Sequence, residues 1–288
     1  MLVTSLLQSI LKHPALHLSH QQLALIFASQ GTIRHATSLF SWAESLSTQN
    51  PNGNKGDPIY ADLSILFLLE LSSVPAIAET MAVEGVLASL STASVMAYFR
   101  RNAGVGPFDT SPGAARLYSV WARGLLPLCL NLLRAVGHPV APEVAAFLNQ
   151  FPKQLERTGA IMGKGSLSPA EAASGRYQVC LSMANEVHSL ALLSTILEQM
   201  KVEEVNGAEI ESLSIDSATL SEDLEGWAKG RRIFLERLVP GSEREVRLAG
   251  AKASNHKDRK GVVENALEEK VVEECKAAVD ILGVEVGK

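Results

Sequence analysis

The chain has 288 residues, of which 47% are apolar, and it carries a formal net charge of −5 at pH 7. This composition can bury a large core, and it lacks the excess positive charge that marks nucleic-acid-binding proteins. The three cysteines, Cys129, Cys180 and Cys275, are far apart and odd in number, which favours buried free thiols over a disulfide framework. The sequence shows no signal peptide and no uncharged apolar run of about 18 residues, so we expect a chain that is soluble or at most peripheral to a membrane.

Charged residues are concentrated towards the C-terminal end. Residues 1–197 contain 12 Lys/Arg and 11 Asp/Glu, whereas residues 198–288 contain 14 and 20. The surface of a soluble domain ordinarily carries a larger share of charge than the first region does. We therefore expect much of that region to be buried, in its own helix stack or against a partner, and the second region to form a more exposed end.

Helical spacing of apolar residues begins at the N-terminus. Leu2–Lys12 has this spacing without a capping residue before it, which indicates a fragment of a longer protein. Ser19 and Thr32 are suitable N-caps for the next two helices, and residues 48–57 form a polar loop rich in Gly and Asn. Three further apolar helices are predicted, which follow Pro58, Pro75 and Gly85.

The most apolar stretch is a helix pair over residues 113–151. Its first helix carries a row of large side chains at steps of three and four residues, namely Leu117, Trp121, Leu125, Leu128, Leu132 and Val136. A second apolar row lies beside this one, so the helix must be covered on two sides. Pro127 removes a helical hydrogen bond and follows Gly124, which predicts a kink. Gly137 is suited to the left-handed cap position between the two helices.

The C-terminal part is predicted to contain three more helices. The longest starts with Ser168 as its cap and reaches about Met200. The second begins at Thr219 or Ser221 and ends before Pro240. The last, over residues 262–282, has one narrow apolar stripe among charged residues, which is typical of a helix covered on one side only.

These elements predict an all-α fold without alternating strand patterns. Two-sided helices joined by short Gly/Pro turns are typical of helical solenoids. We expect a solenoid over residues 1–238, a charged loop or linker over 239–261 and a C-terminal amphipathic capping helix over 262–288. All three parts are predicted to form one structural domain.

Patterns that carry catalysis, cofactors or metals are absent or incomplete. Gly159–Ser166 has the glycines of a P-loop, but it is one residue short and has Gly where Ser or Thr must follow Lys164. Three histidines near the N-terminus have spacings that can share a metal, but a proline interrupts the helix between them. His188 is interpreted as a hydrogen-bonded core or interface histidine. The sequence therefore predicts neither an enzyme nor a cofactor or metal site.

An acidic segment followed by a basic segment is the clearest charged feature. Residues 198–228 carry nine acidic residues and one Lys, and residues 229–260 carry ten Lys/Arg and four acidic residues. The basic segment can bind an acidic partner, phospholipid head groups or nucleic acid. The alternative is a solvated helix face and loop, paired with the acidic segment. The residues selected as partner-binding candidates are Arg231, Arg232, Arg237, Arg244 and Arg247.

Two stretches resemble a known family. They are YSVWARGLLPLCLNLLRAVGHPVAPEVAAFLNQFPKQLER and RYQVCLSMANEVHSLALLSTILEQM. Their Trp helix leading into Leu-Pro-Leu and Asn-Leu-Leu, and the Phe-Leu-Asn-Gln-Phe helix, resemble the C-terminal region of the large inner-ring scaffold nucleoporins. The likeness is greater to the nucleoporin 188 type than to its paralogue nucleoporin 192, and it covers Leu117–Met200.

The resemblance implies a right-handed superhelix of armadillo/HEAT type that acts as a non-enzymatic scaffold in the nuclear pore complex, at the nuclear envelope. The implied partners are linker nucleoporins with short helical motifs, together with Phe-Gly repeats or transport receptors. No nucleic-acid partner and no transmembrane segment are expected. The alternative is a soluble karyopherin-like transport receptor or another helical-repeat adaptor, which would bind a transport GTPase or a basic import signal tightly.

Overall fold

The structure, a computed structural model, describes residues 22, 26–27, 29–43, 57–101, 103–111, 113–165, 167–168, 170–171, 175, 177–202, 209–253 and 263–283. Regular structure in these residues is helical, apart from two isolated β-bridges, Val179–Leu238 and Lys252–Asn265. The all-α prediction is therefore confirmed for this part of the chain. The predictions for Leu2–Lys12, for the Ser19 cap and for the N-terminal histidines lie outside the described residues.

The described residues form two compact units. Unit 1 comprises those of Met1–Lys153 and Glu203–Glu211. Its α-helices are α1 (Thr32–Ser41), α2 (Ile59–Ser72), α3 (Pro75–Val83), α4 (Val86–Ser91), α5 (Ala114–Ser119), α6 (Leu126–Val136) and α7 (Ala141–Asn149). The helices predicted after Pro58 and Pro75 are present as α2 and α3. The helix predicted after Gly85 is shorter than expected, because the extended backbone of Ala93 separates α4 from a 3-10 helix at Ser94–Tyr98.

A cluster of aromatic rings lies in the core of unit 1. Trp121 is fully buried. Its ring centroid lies 5.7 Å from that of Phe99 and 5.7 Å from that of Phe151. Phe147 extends the cluster, with its ring 5.5 Å from that of Phe151 at an angle of 72°. The cluster joins three chain segments, namely the one at Phe99, the π-helical segment at Trp121 and the end of α7 at Phe147 and Phe151. Edge-on and tilted contacts of this kind add to the gain from apolar burial.

The predicted kink at Pro127 takes the form of a π-helical segment. Val120–Leu125 separates α5 from α6, and Pro127 lies in the first turn of α6. Proline has no N–H to donate to the carbonyl of Arg123, and a wider π-type turn accommodates that missing bond. Gly124 faces α2 in this segment, where an added Cβ would come within 2.7 Å of the Ile65 side chain. The glycine therefore allows the two helices to approach closely.

The turn after α6 differs in detail from its prediction. Gly137 has the expected positive φ of 74°, but its ψ of −139° lies outside the left-handed helical region. A 3-10 turn, His138–Val140, follows and leads directly into α7. The backbone conformation of Gly137 is one that residues with a Cβ rarely adopt, so glycine is still the residue that this turn requires.

Unit 2 comprises the described residues of Gln154–Val202 and Ser212–Lys288. Its α-helices are α8 (Pro152–Gly163, which starts in unit 1), α9 (Leu181–Val202), α10 (Ser217–Ala228), α11 (Arg232–Leu235), α12 (Glu243–Ala249) and α13 (Ala266–Leu282). The side chain of Asp216 caps α10 by accepting from the backbone N–H groups of Ala218 and Thr219. The cap thus lies a few residues before the Thr219 or Ser221 of the prediction.

The C-terminal helix α13 is the helix on which unit 2 is assembled. It packs against both α9 and α10 and also contacts α12. Its exposed residues are confined to a narrow stripe that includes Lys270, Glu273 and Lys276. The predicted position of this helix is confirmed, whereas the expectation that only one side is covered is wrong. The division of the chain into solenoid, linker and capping helix stays a prediction.

The long helix predicted from Ser168 to Met200 is interrupted. The N–H of Val179 donates to the carbonyl of Arg237 at 3.0 Å, and its carbonyl accepts from the N–H of Val239 at 2.8 Å. These groups are thereby unavailable to a helix, so α9 starts only at Leu181. The predicted capping box is nevertheless present, since the Glu171 carboxylate accepts from the N–H of Ser168 at 2.9 Å.

Helix α12 lies inside the predicted loop 239–261 and carries a buried carboxylate. Glu245 is 3% exposed. Its carboxylate accepts from the backbone N–H of Leu181, the hydroxyl of Ser182 and the N–H of Gly241, at 3.3, 3.0 and 2.9 Å. The negative charge thus lies at the N-terminus of α9, where the unpaired N–H groups and the helix dipole favour it.

We expect Glu245→Ala to lower the free energy of unfolding by about 1–3 kcal/mol, because it leaves buried donors without an acceptor. Chemical denaturation followed by circular dichroism measures this change. The matched control is Glu243→Ala on the same helix, where the side chain is 95% exposed and the change should stay within about 0.5 kcal/mol. Equal losses in the two variants would contradict the capping role of Glu245.

Among the described helices, no single one has both the length and the apolar character needed to cross a membrane. One pair, Ile59–Ser72 with Pro75–Val83, meets those two requirements when taken together. The pair is bent by 118° at the break between its helices.

Candidate partner-binding surface

The five arginines selected from the sequence lie around α11 and α12 in unit 2. Arg231 and Arg232 stand at the start of α11, Arg237 follows its end, and Arg244 and Arg247 belong to α12. They differ in exposure and in their contacts. Only some of them are therefore available to a partner.

Arg237 is buried, with 7% of the residue exposed. Its guanidinium donates to the carbonyls of Ile161, Lys164 and Tyr177. Two of these carbonyls lie at the C-terminal end of α8, where a helix leaves its last acceptors unpaired. Burial lowers the pKa of Arg237 to about 10, so the side chain is still charged at neutral pH. The sequence selected Arg237 as a partner-binding candidate, but in the structure its donors are engaged inside unit 2.

Arg232 is exposed but surrounded by carboxylates. Its guanidinium lies 3.2 Å from Glu268, 3.3 Å from Glu264 and 3.7 Å from Glu236. Glu268 is buried in α13, so Arg232 balances a charge at the start of that helix. Most of the positive charge of Arg232 is thereby compensated within the chain.

The other three arginines are on the surface. Arg247 lies 3.8 Å from Glu243, and both side chains are more than 80% exposed, so this pair contributes little to stability. Arg231 and Arg244 are exposed. A partner-binding role for these three residues stays a prediction, and the interspersed carboxylates reduce the positive charge that the sequence alone indicated.

A pocket of about 390 Å³ adjoins the buried arginine. Apolar side chains form much of its described lining, and they come from Leu167, Tyr177, Ile233 and Val239. Polar groups are supplied by Glu171, Gln178, Glu236 and Arg237. Ile233 is 49% exposed. The size and the mixture of apolar walls with a few polar groups are typical of binding pockets.

One carboxylate of the pocket is held firmly in place. Glu171 forms an ion pair with Lys164, whose ammonium lies 4.3 Å from the centre of the Tyr177 ring. Hydrogen bonds from Lys164 and from Ser168 lower the pKa of Glu171 to about 2. The carboxylate is therefore ionised across the physiological range, and its charge is already matched by a neighbouring cation.

The second carboxylate of the pocket is more available. Glu236 has a side chain that is 65% exposed, and its ion pair to Arg232 spans 3.7 Å. Arg232 lies closer to Glu264 and Glu268 than to Glu236. Glu236 is the C-cap of α11 and follows Ile233 by three residues, so a carboxylate and an exposed aliphatic side chain are neighbours there.

The sequence did not single out this pocket. Ile233 lies in a short run of apolar residues next to Phe234 and Leu235, both of which are buried. A four-residue helix gives too short a pattern for its exposed position to be recognised. The one available signal was the separation of the acidic and basic segments, which drew attention to the region around α11.

His188 and Lys164 are the residues considered for chemistry that lie in the described part of the chain. His188 forms a contact of 2.5 Å between its Nδ1 and the carboxylate of Glu274, which joins α9 to α13 and confirms its interpretation as a hydrogen-bonded histidine. Lys164 follows the C-terminal end of α8, whereas a phosphate-binding loop leads into the N-terminus of a helix. Within the described ranges, no cluster of three or more His, Cys, Asp or Glu side chains is arranged to hold a metal ion.

The three cysteines are buried free thiols, as predicted. Burial raises the pKa of Cys180 to about 12 and raises the pKa of Cys129 and of Cys275 as well. The thiolate is the reactive species, so we expect no reaction of the native chain with an aromatic disulfide reagent at pH 8 within minutes. The measurement is thiol release followed by absorbance, with three equivalents appearing after denaturation. A rapid equivalent in the native state would contradict the burial of at least one thiol.

Packed helices and buried free thiols define an all-α protein. Comparison with known proteins agrees with this class: the family described as "Nuclear pore protein NUP188 C-terminal domain" matches residues 1–282. The chain belongs to this family. The predicted likeness to the large inner-ring scaffold nucleoporins is therefore confirmed.

Individual relatives give the same result. The chain is 39% identical to nucleoporin NUP188 of Chaetomium thermophilum, over 94% of this chain and 16% of that protein. It is 27% identical to nucleoporin NUP188 of Saccharomyces cerevisiae, over 61% of this chain and 9% of that protein. The chain thus spans less than a fifth of the length of these curated relatives.

A solved structure shares the fold. It is Nup188(aa1445-1827) from Myceliophthora thermophila, which superposes with a TM-score of 0.83 at 39% identity. The match covers 98% of this chain and 76% of that chain. The predicted all-α fold class is confirmed by this match.

Proposed function

We propose that the chain is a non-enzymatic structural part of the inner ring of the nuclear pore complex, at the nuclear envelope. It supports nucleocytoplasmic transport by holding other nucleoporins in place. The observation that carries this proposal is the family match over residues 1–282, together with the shared fold of the solved relative.

Linker nucleoporins are the proposed direct partners. Grooves between packed helices bind amphipathic helices of a partner through apolar anchors spaced one turn apart. The pocket beside α11 and the exposed arginines of α12 give unit 2 a surface with both apolar and charged groups. Phe-Gly repeats and transport receptors are further partners in this proposal.

The test is affinity capture with the 288-residue chain as bait in a nuclear envelope extract, with captured proteins identified by mass spectrometry. We expect enrichment of nucleoporins, and of linker nucleoporins above the others. Selective capture of a transport GTPase without nucleoporins would support a soluble transport receptor instead. The absence of any pore component from the captured proteins would contradict the proposal.

A further inference from the structure

We propose that Ser168 accepts a phosphate from a proline-directed protein kinase, and that this phosphate displaces Glu171 from the capping box and takes Lys164 as its partner. The kinase transfers the γ-phosphoryl group of MgATP to Oγ of Ser168, which loses its proton, and ADP leaves. The inference goes beyond the proposed scaffold role and does not depend on it.

Two sites in the chain have the dipeptide that such a kinase recognises. Ser111 precedes Pro112 and Ser168 precedes Pro169, whereas no threonine of the chain precedes a proline. Both serines are exposed. Neither is followed by Lys or Arg three residues later, so the proline is the recognition element that the two sites share. The structure distinguishes them by the contacts of the residues around each serine.

The contacts of Ser168 are short-range. Its hydrogen bonds in the described part of the chain all join it to Glu171: the N–H and the hydroxyl donate to the carboxylate, each at 2.9 Å, and Oγ accepts from the N–H of Glu171 at 3.4 Å. The ion pair of Glu171 with Lys164 joins side chains that are 32% and 34% exposed. A kinase binds the residues around the acceptor in an extended form. The contacts that must open at Ser168 are therefore local and partly solvated, and such openings cost little.

Ser111, in contrast, stands in a segment that is packed against another helix. At Gly113, an added Cβ would come within 2.6 Å of the side chain of Pro58, the N-cap of α2. Arg116 of α5 also pairs with Asp62 of α2 at 3.1 Å. Extending the chain around Ser111 breaks contacts between these two helices. The opening that a kinase requires is therefore rarer at Ser111 than at Ser168.

The charges around Ser168 determine what its phosphate does. Lys164 now neutralises Glu171, and hydrogen bonds from Lys164 and Ser168 lower the pKa of this carboxylate to about 2. A phosphate adds a charge of about −1.5 to −2 at neutral pH and removes the hydroxyl that donates to Glu171. The two anions repel each other at hydrogen-bond distance, and the ammonium of Lys164 is attracted more strongly to the group with the larger charge. The carboxylate of Glu171, which lines the pocket beside α11, is thereby released.

The kinase reaction itself is the first test. The folded 288-residue chain is incubated with MgATP and a purified kinase of the mitogen-activated class, and mass spectrometry locates the phosphate. We expect modification of Ser168 at least about tenfold faster than that of Ser111, and we expect Pro169→Ala to abolish it. Ser111→Ala is the matched control and should leave the rate at Ser168 unchanged. Preferential modification of Ser111, or none at Ser168, would overturn the proposal.

Synthetic peptides that span each serine separate the effect of the fold from that of the local sequence. Because the peptides lack the packing of α2 against α5, we expect them to react at rates within about threefold of each other. The same tenfold preference in the peptides as in the folded chain would show that local sequence sets it, and would overturn the argument from packing.

The displacement of Glu171 is tested by amide hydrogen exchange on the phosphorylated chain. The N–H of Ser168 donates to the Glu171 carboxylate, so we expect it to exchange at least about fivefold faster after phosphorylation. Ser168→Ala is the control that loses the hydroxyl without gaining charge, and its N–H at position 168 should keep the slow exchange. Unchanged exchange in the phosphorylated chain would overturn the displacement of Glu171.

Discussion

Replacing Trp121 with alanine is expected to lower the free energy of unfolding of unit 1 by about 3–5 kcal/mol. Trp121 is fully buried, and its ring contacts those of Phe99 and Phe151 at centroid distances of 5.7 Å. The substitution leaves a cavity that these rings cannot fill without losing their contacts with each other. It also removes an aromatic side chain from the π-helical segment between α5 and α6, two helices that pack on the same core.

The change is measured by denaturant titration followed by far-ultraviolet circular dichroism. Trp42→Ala is the matched control in the same unit, because the side chain of Trp42 is 64% exposed and its loss should cost less than about 1 kcal/mol. A loss of less than about 1 kcal/mol for Trp121→Ala would show that Trp121 is accessible in solution. It would then be a binding-site candidate and not a core residue.

Replacing Arg237 with methionine is expected to lower the free energy of unfolding of unit 2 by about 2–4 kcal/mol. The carbonyls of Ile161, Lys164 and Tyr177 lose their donor, and methionine keeps the length of the side chain while removing its charge. The loss is limited because the buried guanidinium carries a desolvation cost of its own, which the substitution removes.

Thermal and denaturant unfolding measure the effect of Arg237→Met. Arg237→Lys should lose nearly as much, since a single ammonium cannot reproduce the fork of a guanidinium. Arg244→Ala is the surface control and should change stability by less than about 0.5 kcal/mol. If Arg237→Met is as stable as this control while partner binding falls, the internal role assigned to Arg237 is wrong and the partner-binding prediction is right.

The sequence predicts those parts of the fold that depend on neighbouring residues. Apolar periodicity and the Pro58 start locate α2, and the stripe on residues 262–282 locates α13. The Ser168 capping box and the disruption at Pro127 are also local features, since each depends on residues within one or two turns. These predictions required no knowledge of what the helices pack against.

Long-range partners account for what the sequence did not predict. Val179 pairs with the backbone of Arg237 and Val239 about 60 residues away, and this pairing interrupts a helix that the local pattern supports. Arg237 itself looked like a member of a basic surface, because only the fold reveals that three carbonyls surround its guanidinium. The sequence also did not predict that both α9 and α10 pack against α13. The buried face of α13 includes the charged residues Glu268 and Glu269, which a sequence pattern assigns to the surface.

For the candidate partner-binding surface, too, the sequence did not reveal the contacts that the fold creates. The separation of acidic and basic segments drew attention to the region around α11, and it left an acidic partner, phospholipid head groups, nucleic acid and a solvated surface as alternatives. In the structure, carboxylates compensate Arg232 and line the pocket, while Arg237 is turned inward. The sign of the charge that a surface presents depends on which side chains are buried and paired, and composition alone does not determine this.

Localisation of the tagged chain in living cells tests the scaffold role most directly. The 288-residue chain, fused to a fluorescent protein and expressed at low level, is imaged together with a marker of nuclear pores. We expect a punctate signal at the nuclear rim that coincides with the marker. A diffuse signal without enrichment at the rim, from a chain shown by circular dichroism to be folded, would contradict it.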